Sequence, residues 1–404
     1  MQYSTLELNV KLPEQELVFE VGSLYSRLQE LEDKRKRRGL LYELTPILFI
    51  AVLAKMMEQD QFGEIAHWAK LRTHELCQLL GLKRLTMPHR TTWARILGEA
   101  VDVKELEKIV AEFIAAQLSP EIPSRGSVVV SIDGKSIRGT IPKGKTQGVH
   151  LMAAYLPQQG VVLAQIAVGS KENEIVVAPQ VLATLDLQGM VVTGDAMQTQ
   201  RKLSVEIVKG GGDYLWFVKQ NQPELRKELE ILFEAEPTPK GGSPYPTDFR
   251  EYRQVEKGHG RIEERVITVS SMLEDYSDWP HLEQAFKIEK KVWNLKGEWQ
   301  SGEVRYGITS LPAKEAKAER LLWIARQEWG IENRLHWRRD VLFREDCSQL
   351  RRGNSPQVNA ILNNVVVSLL ALAGYRNVAA ARRVFEYKPG LALPLLTSAV
   401  VSSS

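Results

Sequence analysis

Residues Trp323 to Asp346 read WIARQEWGIENRLHWRRDVLFRED. At 100° per residue, Ile324, Ile331, Leu335 and Leu342 fall within one narrow band, an apolar stripe that predicts a core-facing helix. Glu332 and Arg339 stand on the flank of that stripe, so their side chains project beside the core, at the edge of whatever sheet the helix covers. A metal-binding carboxylate needs such a position: rigid backbone, half shelter and access for substrate. The other reading of the same residues is a surface helix with solvated charges. Two acids elsewhere in the chain bear on that choice.

With 404 residues the chain is too long for one ordinary domain, and two or three units are expected. Apolar residues at 44% supply a core, and 25% charged residues argue against wholesale disorder. The formal net charge is only +3, so any surface that attracts an acidic partner must be local. Cys77 and Cys347 form neither a disulfide framework nor a metal-ligand spacing, and a reducing cytoplasm is the expected compartment. The stretch MQYSTLELNVKLPEQ has no basic segment followed by an apolar run, so no signal peptide is expected. Asn, Lys or Gly interrupts the longest apolar runs, and no membrane span is expected.

Residues 1–120 read as helices: one starting at Leu24, Leu28 and Leu31, then Thr45–Gln59, Glu64–Leu71, Thr73–Leu80, a run Trp93–Leu97 with Thr91 or Thr92 as N-cap, and Val103–Leu118. Asp33–Arg38 (DKRKRR) is a basic loop among them. Such an array serves either as a DNA-binding domain or as a helical packing domain. After a linker, Pro120–Gly126, the pattern changes. Ser127–Asp133, Val149–Tyr155, Gly160–Val168, Gly189–Thr193 and Asp213–Val218 read as strands, with helices at Glu174–Leu185, Thr199–Lys209 and Asn221–Glu236. Hairpin-linked strands followed by alternating helix and strand predict a mixed α/β sheet, with the first part of this unit spanning 127–236. Beyond a Pro/Gly-rich break, Pro237–Pro246, residues 247–311 read as a β-rich insertion. Residues 312–388 return to helices, and a short apolar tail, 389–404, is expected to pack weakly.

Asp133 and Asp195 each close a strand of apolar residues, where a mixed sheet presents groups to a ligand. Taken singly, each also reads as a turn or cap residue. If the strands are neighbours, the two carboxylates stand side by side and repel unless a cation lies between them. Mg²⁺ takes oxygen ligands, one or two carboxylates plus substrate phosphate oxygens. A third acid on a covering helix, Glu332, would complete a two-metal site for in-line displacement at phosphorus.

At this point the residues carry a resemblance. SIDGKSIRGT (Ser131–Thr140), KENEI (Lys171–Ile175), LDLQGMVVTGDAMQTQ (Leu185–Gln200), GGDYLWFVKQNQ (Gly211–Gln222), EKGHGRIEER (Glu256–Arg265), WGIENRLHWRRDVLFRED (Trp329–Asp346) and RRGNSPQVNAILNNVVVSLL (Arg351–Leu370) resemble a DDE transposase of a bacterial insertion sequence, of the H-repeat-associated type. The resemblance spans nearly the whole chain. It implies an RNase H-like core with an all-helical N-terminal domain and a β-strand insertion before the last acid. It implies Asp133, Asp195 and Glu332 as the metal-binding triad, holding two Mg²⁺ ions for which Mn²⁺ can substitute. The partners it implies are double-stranded DNA, at the element's terminal inverted repeats and at the target, and a second copy of the chain in the synaptic complex. That chemistry would be carried out in the cytoplasm at the nucleoid. Related transposases carry a Y-x2-R-x3-E-x6-K pattern around the last acid. Here Glu332 fits the acid and Arg339 stands where Lys is usual, while Ala325 and Glu328 replace the Tyr and the Arg; Arg326 is the nearest preceding arginine.

Basic side chains cluster near these positions. Lys135 and Arg138 follow Asp133 and could hold a phosphate. Lys257, His259 and Arg261 sit on a Gly-flanked tip between two strands, as a backbone-contacting loop or a solvated hairpin. Arg334 and Arg339 make the region after Glu332 locally basic. His336 is either a substrate contact or a structural hydrogen-bonder. Trp329 and Trp337 are expected to pack in the core, with base stacking as the alternative. There is no GxxxxGK[ST] loop, so no nucleotide cofactor is expected. Two further readings stay open: a nuclease of the same core that cuts without joining, and a domesticated DNA-binding protein without activity.

Overall fold

The computed structural model describes residues 11–401 except 14, 37, 39, 119–123, 170, 171 and 235–247. Most of the linker Pro120–Gly126, the break Pro237–Pro246, Lys171 of the KENEI motif and the last three residues of the tail lie outside the described residues. The chain is built on one nine-stranded sheet: β1 (Val128–Ile137), β2 (Val149–Leu156), β3 (Val161–Val168), β4 (Met190–Gly194), β5 (Asp213–Val218), β6 (Arg250–Gly258), β7 (Arg261–Ser270), β8 (Gln284–Asn294) and β9 (Trp299–Thr309). Their order is β3-β2-β1-β4-β5-β9-β8-β7-β6. β1, β2 and β3 form an antiparallel meander, and β4 and β5 run parallel to β1, which is the strand arrangement of an RNase H-like core. The four strands of 247–311 do not form a sheet of their own. β9 pairs antiparallel with β5, and β8, β7 and β6 extend the same sheet outward from it.

The central strands are apolar on both faces because both faces are covered. Along β1, Val129 enters one core with Val191, Leu215, Leu321, Leu322, Ile324 and Ala325, beneath the helix Ala318–Gly330. Val130 and Ile132 enter the larger core, which takes in the N-terminal helices, Glu174–Leu182 and Ser355–Leu372. The helix Ser355–Leu372 is long and apolar enough to span a membrane by hydropathy, yet 83% of its apolar window is buried inside the fold. It reads as the central core helix of the chain, and its Asn359, Asn363 and Asn364 are buried with it.

The N-terminal helices observed are Leu24–Leu28, Leu44–Met56, Phe62–Leu71, Thr73–Leu79, Arg90–Arg95 and Val103–Ala116. The cap before Arg90 is not Thr91 or Thr92: the helix starts one residue earlier than those threonines would allow, and the His89 ring accepts from Thr91 N at 3.4 Å. Gln61 and Glu64 form a capping box on Phe62–Leu71, which extends that helix two residues ahead of the expected start. The tail is not loosely attached. Leu393 and Leu396 are buried, Gln117 Nε2 donates to the Ala399 carbonyl at 2.7 Å, and Glu20 N donates to the Thr397 carbonyl at 2.9 Å.

A buried polar chain ties the N-terminal helices to the rest. Lys55 Nζ donates to the Asp60 carbonyl at 2.9 Å and to Asn363 Oδ1 at 2.8 Å. Arg382 reaches Asp60 Oδ1 at 2.5 Å, the Lys55 carbonyl at 2.9 Å and the Leu342 carbonyl at 2.9 Å. Asn363 donates to Glu345 Oε1 at 3.0 Å, and Glu345 Oε2 takes Arg339 at 2.7 Å. Burial pushes the Lys55 ammonium down to about 8, opposed by Asp60. Removing one carboxylate from such a chain leaves a buried cation without its partner, which costs about 3–5 kcal/mol.

Asp60→Asn is therefore expected to lower stability by about that amount in urea denaturation. Because the folded state releases the Lys55 proton near 8 and the unfolded chain only near 10.5, the Lys55 contribution makes stability rise between those pH values. Lys55→Met should flatten that rise when midpoints are measured across the window.

Candidate active site

β1 and β4 pair in parallel with Ile132 beside Gly194, so the next residues on the two strands are Asp133 and Asp195. The adjacency that the two strand ends required is thus set by register. Ser131, two residues before Asp133 and on the same face, donates from Oγ to the Gln327 carbonyl at 3.0 Å, which docks the covering helix against β1. That helix does not continue as α-helix to Asp346. It changes at Ile331 to π-helical turns, Ile331–His336 and Arg338–Leu342, and ends before Arg344 at φ 49°. Such wide turns commonly mark functional sites. Gly330 marks the change: a Cβ there would come within 2.7 Å of Pro157 Cβ in the β2–β3 turn, so only glycine allows this approach. Arg334 then bonds the Pro157 carbonyl at 2.6 Å.

The π-helical segment brings Glu332 and His336 to Asp133. His336 Nδ1 lies 3.0 Å from Glu332 Oε2 and 3.4 Å from Asp133 Oδ2. One ligand atom from each of Asp133, Glu332 and His336 falls within 4.8 Å of the others, a spacing that would hold a metal ion. Burial, reinforced by Glu174, Asp195 and Glu332, pushes the Asp133 carboxyl up to about 8. Burial and Glu174 also raise Asp195, whose Oδ1 accepts from Met197 N at 2.9 Å. Glu332 goes the other way: the His336 hydrogen bond lowers its pKa. Its side chain is 70% exposed, whereas that of His336 is 4% exposed. Burial lowers the His336 pKa, and its Nε2 is buried without a hydrogen-bond partner. A concentration of acids this costly without counter-charge is what a divalent cation relieves.

The basic residues divide. Lys257, His259 and Arg261 occupy the exposed tip between β6 and β7, with His259 at φ 50°; Arg261 pairs with Glu263. Arg138 is exposed and lies 3.5 Å from Asp346. Lys135 is 7% exposed and bonded to Asp340 at 2.6 Å. Arg326 is held by Glu256 at 2.8 Å and by Gln254 at 2.8 Å. Arg339 cannot meet DNA in this fold: it is fully buried, bound to Glu345 and, at 3.0 Å, to Gln165. The stripe geometry put it on a flank because it assumed α-helical spacing, and the π-helical turns rotate it inward. Trp329 and Trp337, expected in the core, are 53% and 52% exposed, and the Lys290 ammonium lies 5.9 Å from the Trp329 ring centre. His336 is turned toward Glu332 and Asp133 and away from solvent.

One acid near the site was not singled out from the sequence. Glu174, in the KENEI motif, opens the helix Glu174–Leu182 behind an Asn173 cap. Its carboxylate accepts from His150 Nε2 at 2.8 Å and from Gln198 Nε2 at 3.1 Å. The available signal was the glycine after Asp133, since a Cβ on Gly134 would lie 2.1 Å from Glu174 Oε1.

Comparison with known proteins agrees with the strand order. A family model described as a transposase DDE domain matches residues 124–369, and one described as DDE_Tnp_1-associated matches 25–114. YncI of Escherichia coli O157:H7, named as a transposase, is 32% identical over 87% of this chain and 87% of its own length. YhhI of Escherichia coli strain K12, named as an H repeat-associated transposase, is 28% identical over 87% of this chain and 91% of its own length. A piggyBac transposase synaptic complex with hairpin DNA aligns with 93% of this chain and 77% of its own at TM-score 0.40 and 10% identity.

If the acids hold a divalent ion, Mg²⁺ or Mn²⁺ should raise the melting temperature in a concentration-dependent way, because a ligand of the folded state stabilises it by mass action. Asp133→Asn is expected to abolish that shift in differential scanning fluorimetry.

Proposed function

Because the chain belongs to the DDE transposase family, of the H-repeat-associated type, we propose that it cuts DNA at the ends of an insertion sequence and joins the freed 3′-hydroxyl to target DNA. The observation that carries this reading is the meeting of three distant chain segments. Asp133 and Asp195 take neighbouring positions on parallel strands, and Glu332 arrives from the covering helix with His336 between it and Asp133. In this reading Asp133, Asp195 and Glu332 hold two Mg²⁺ ions, which when bound supply a polarised water and charge stabilisation at phosphorus. The Mg²⁺ preference follows from the all-carboxylate character of the triad. The residues of the chain do the positioning. Ser131 fixes the helix on β1, and Gly330 with Arg334 fixes it on the β2–β3 turn. Together they bring the Glu332 carboxylate to the shared site, where small misplacement is expensive in rate. Double-stranded DNA at the terminal repeats and at the target is the proposed substrate, with the tip Lys257–Arg261 and Arg138 as exposed backbone contacts. Two chains would act together, one on each end of the element.

Asp133→Ala, Asp195→Ala or Glu332→Ala should each lower strand cleavage by at least a thousandfold while a gel shift still reports DNA binding. Wild-type cleavage by any one variant would remove that residue from the site. With element-end DNA and Mg²⁺, joined products support the transposase reading. Cut products alone would leave a nuclease, and binding with no cleavage under any divalent metal would leave a DNA-binding protein.

A further inference from the structure

The carboxylate of Glu174 is wedged between the two strand-end acids. One oxygen lies over Gly134, the residue after Asp133, where a Cβ would be 2.1 Å away. The other accepts from Gln198, whose backbone N–H bonds the Asp195 carbonyl at 3.0 Å. We propose that Glu174 is a fourth carboxylate of the metal centre, holding one of the two divalent ions together with Asp133 and Asp195, while Glu332 and Asp133 hold the other. The inference rests on the metal-centre reading above and adds a ligand to it.

Three further observations support this placement. The negative charge of Glu174 acts on both strand-end acids, second only to burial in raising each of them. A group that disturbs both belongs to their shared space. Gln198 is 1% exposed and its Oε1 is buried without a partner, while His336 brings a second buried nitrogen without a partner to the opposite side. The interior around the acids therefore holds lone pairs that no protein donor satisfies, as expected of a centre built for cations. Finally, the hydrogen bonds of Glu174 leave room for coordination. A carboxylate offers about four lone-pair sites, and His150 and Gln198 use two of them. Ser136 Oγ lies 2.7 Å from His150 Nδ1 and orients that ring. A carboxylate braced by an imidazole and an amide, themselves braced, is the usual support of a metal-ligating acid.

Mn²⁺ alone, titrated into the full chain and followed by electron paramagnetic resonance, tests the proposal without DNA or turnover. The wild type is expected to take up two ions. Glu174→Gln, which keeps the helix start and can still bond His150, should take up one, or bind the second at least tenfold more weakly. Glu174→Asp, one methylene shorter with its charge intact, should fall between and serves in its place if the Gln variant does not fold by circular dichroism. Two ions at wild-type affinity in the folded variant would overturn the role of Glu174 and leave the triad standing. No Mn²⁺ uptake by the wild type would overturn the metal centre itself.

Discussion

The parallel pairing of β1 with β4 is the constraint from which the rest follows. Neighbouring strands lie about 4.8 Å apart, and their register puts Asp133 and Asp195 at adjacent positions on that ladder. Two carboxylates at about 5 Å repel by roughly 3 kcal/mol at an effective dielectric near 20. The fold accepts this cost at the place where one strand end is buried by a helix on one face and by the larger core on the other. Asp133 bears most of it, being the acid that burial and three neighbouring carboxylates push up to about 8. No pattern of hydrogen bonds from the chain offsets the repulsion, so the geometry makes sense as half of a structure whose other half is a cation.

Holding Glu332 over that pair takes a helix pinned at several points, and the pins come from regions far apart in sequence. The buried run from Lys55 and Asp60 through Asn363 and Glu345 to Arg339 joins the N-terminal helices to the π-helical segment. Buried ion pairs add little stability over apolar packing, but they specify one arrangement because every partner must be present at once. The N-terminal helices share a core with Ser355–Leu372 and with the sheet. They work as a wall of the catalytic unit, whatever else their exposed faces do.

Much of this was legible in the sequence, for physical reasons that differ by element. Strands such as SVVVSID are continuous apolar runs because both faces are covered, and that pattern has few other readings. The acids at their ends were found because a charge at the close of a buried strand is conspicuous. The extension of the sheet by β9 to β6 was not readable, since alternation reports one exposed face but says nothing about which edge a strand joins. The change to π-helical turns at Ile331 was invisible to a fixed 100° step. That single assumption placed Arg339 outside and Trp329 and Trp337 inside, the reverse of what occurs. Glu174 escaped notice because it lies ahead of an unremarkable amphipathic helix, and its meaning depends on Gly134 forty residues earlier.

The small net charge of +3 has a structural counterpart around the site. Lys135 is paired with Asp340, Arg326 with Glu256, Arg305 with Glu328 and Arg344 with Glu64. These cations are held beside the acids without making the surface strongly positive. For the proposed reaction this arrangement separates two tasks. Exposed groups such as Lys257 and Arg138 supply salt-dependent attraction to phosphate. The paired cations near the acids contribute only when a phosphate competes with their carboxylates at close range, which favours DNA seated in the site over DNA merely nearby. Discrimination of that kind costs affinity and yields positioning, and positioning is what an in-line displacement at phosphorus requires.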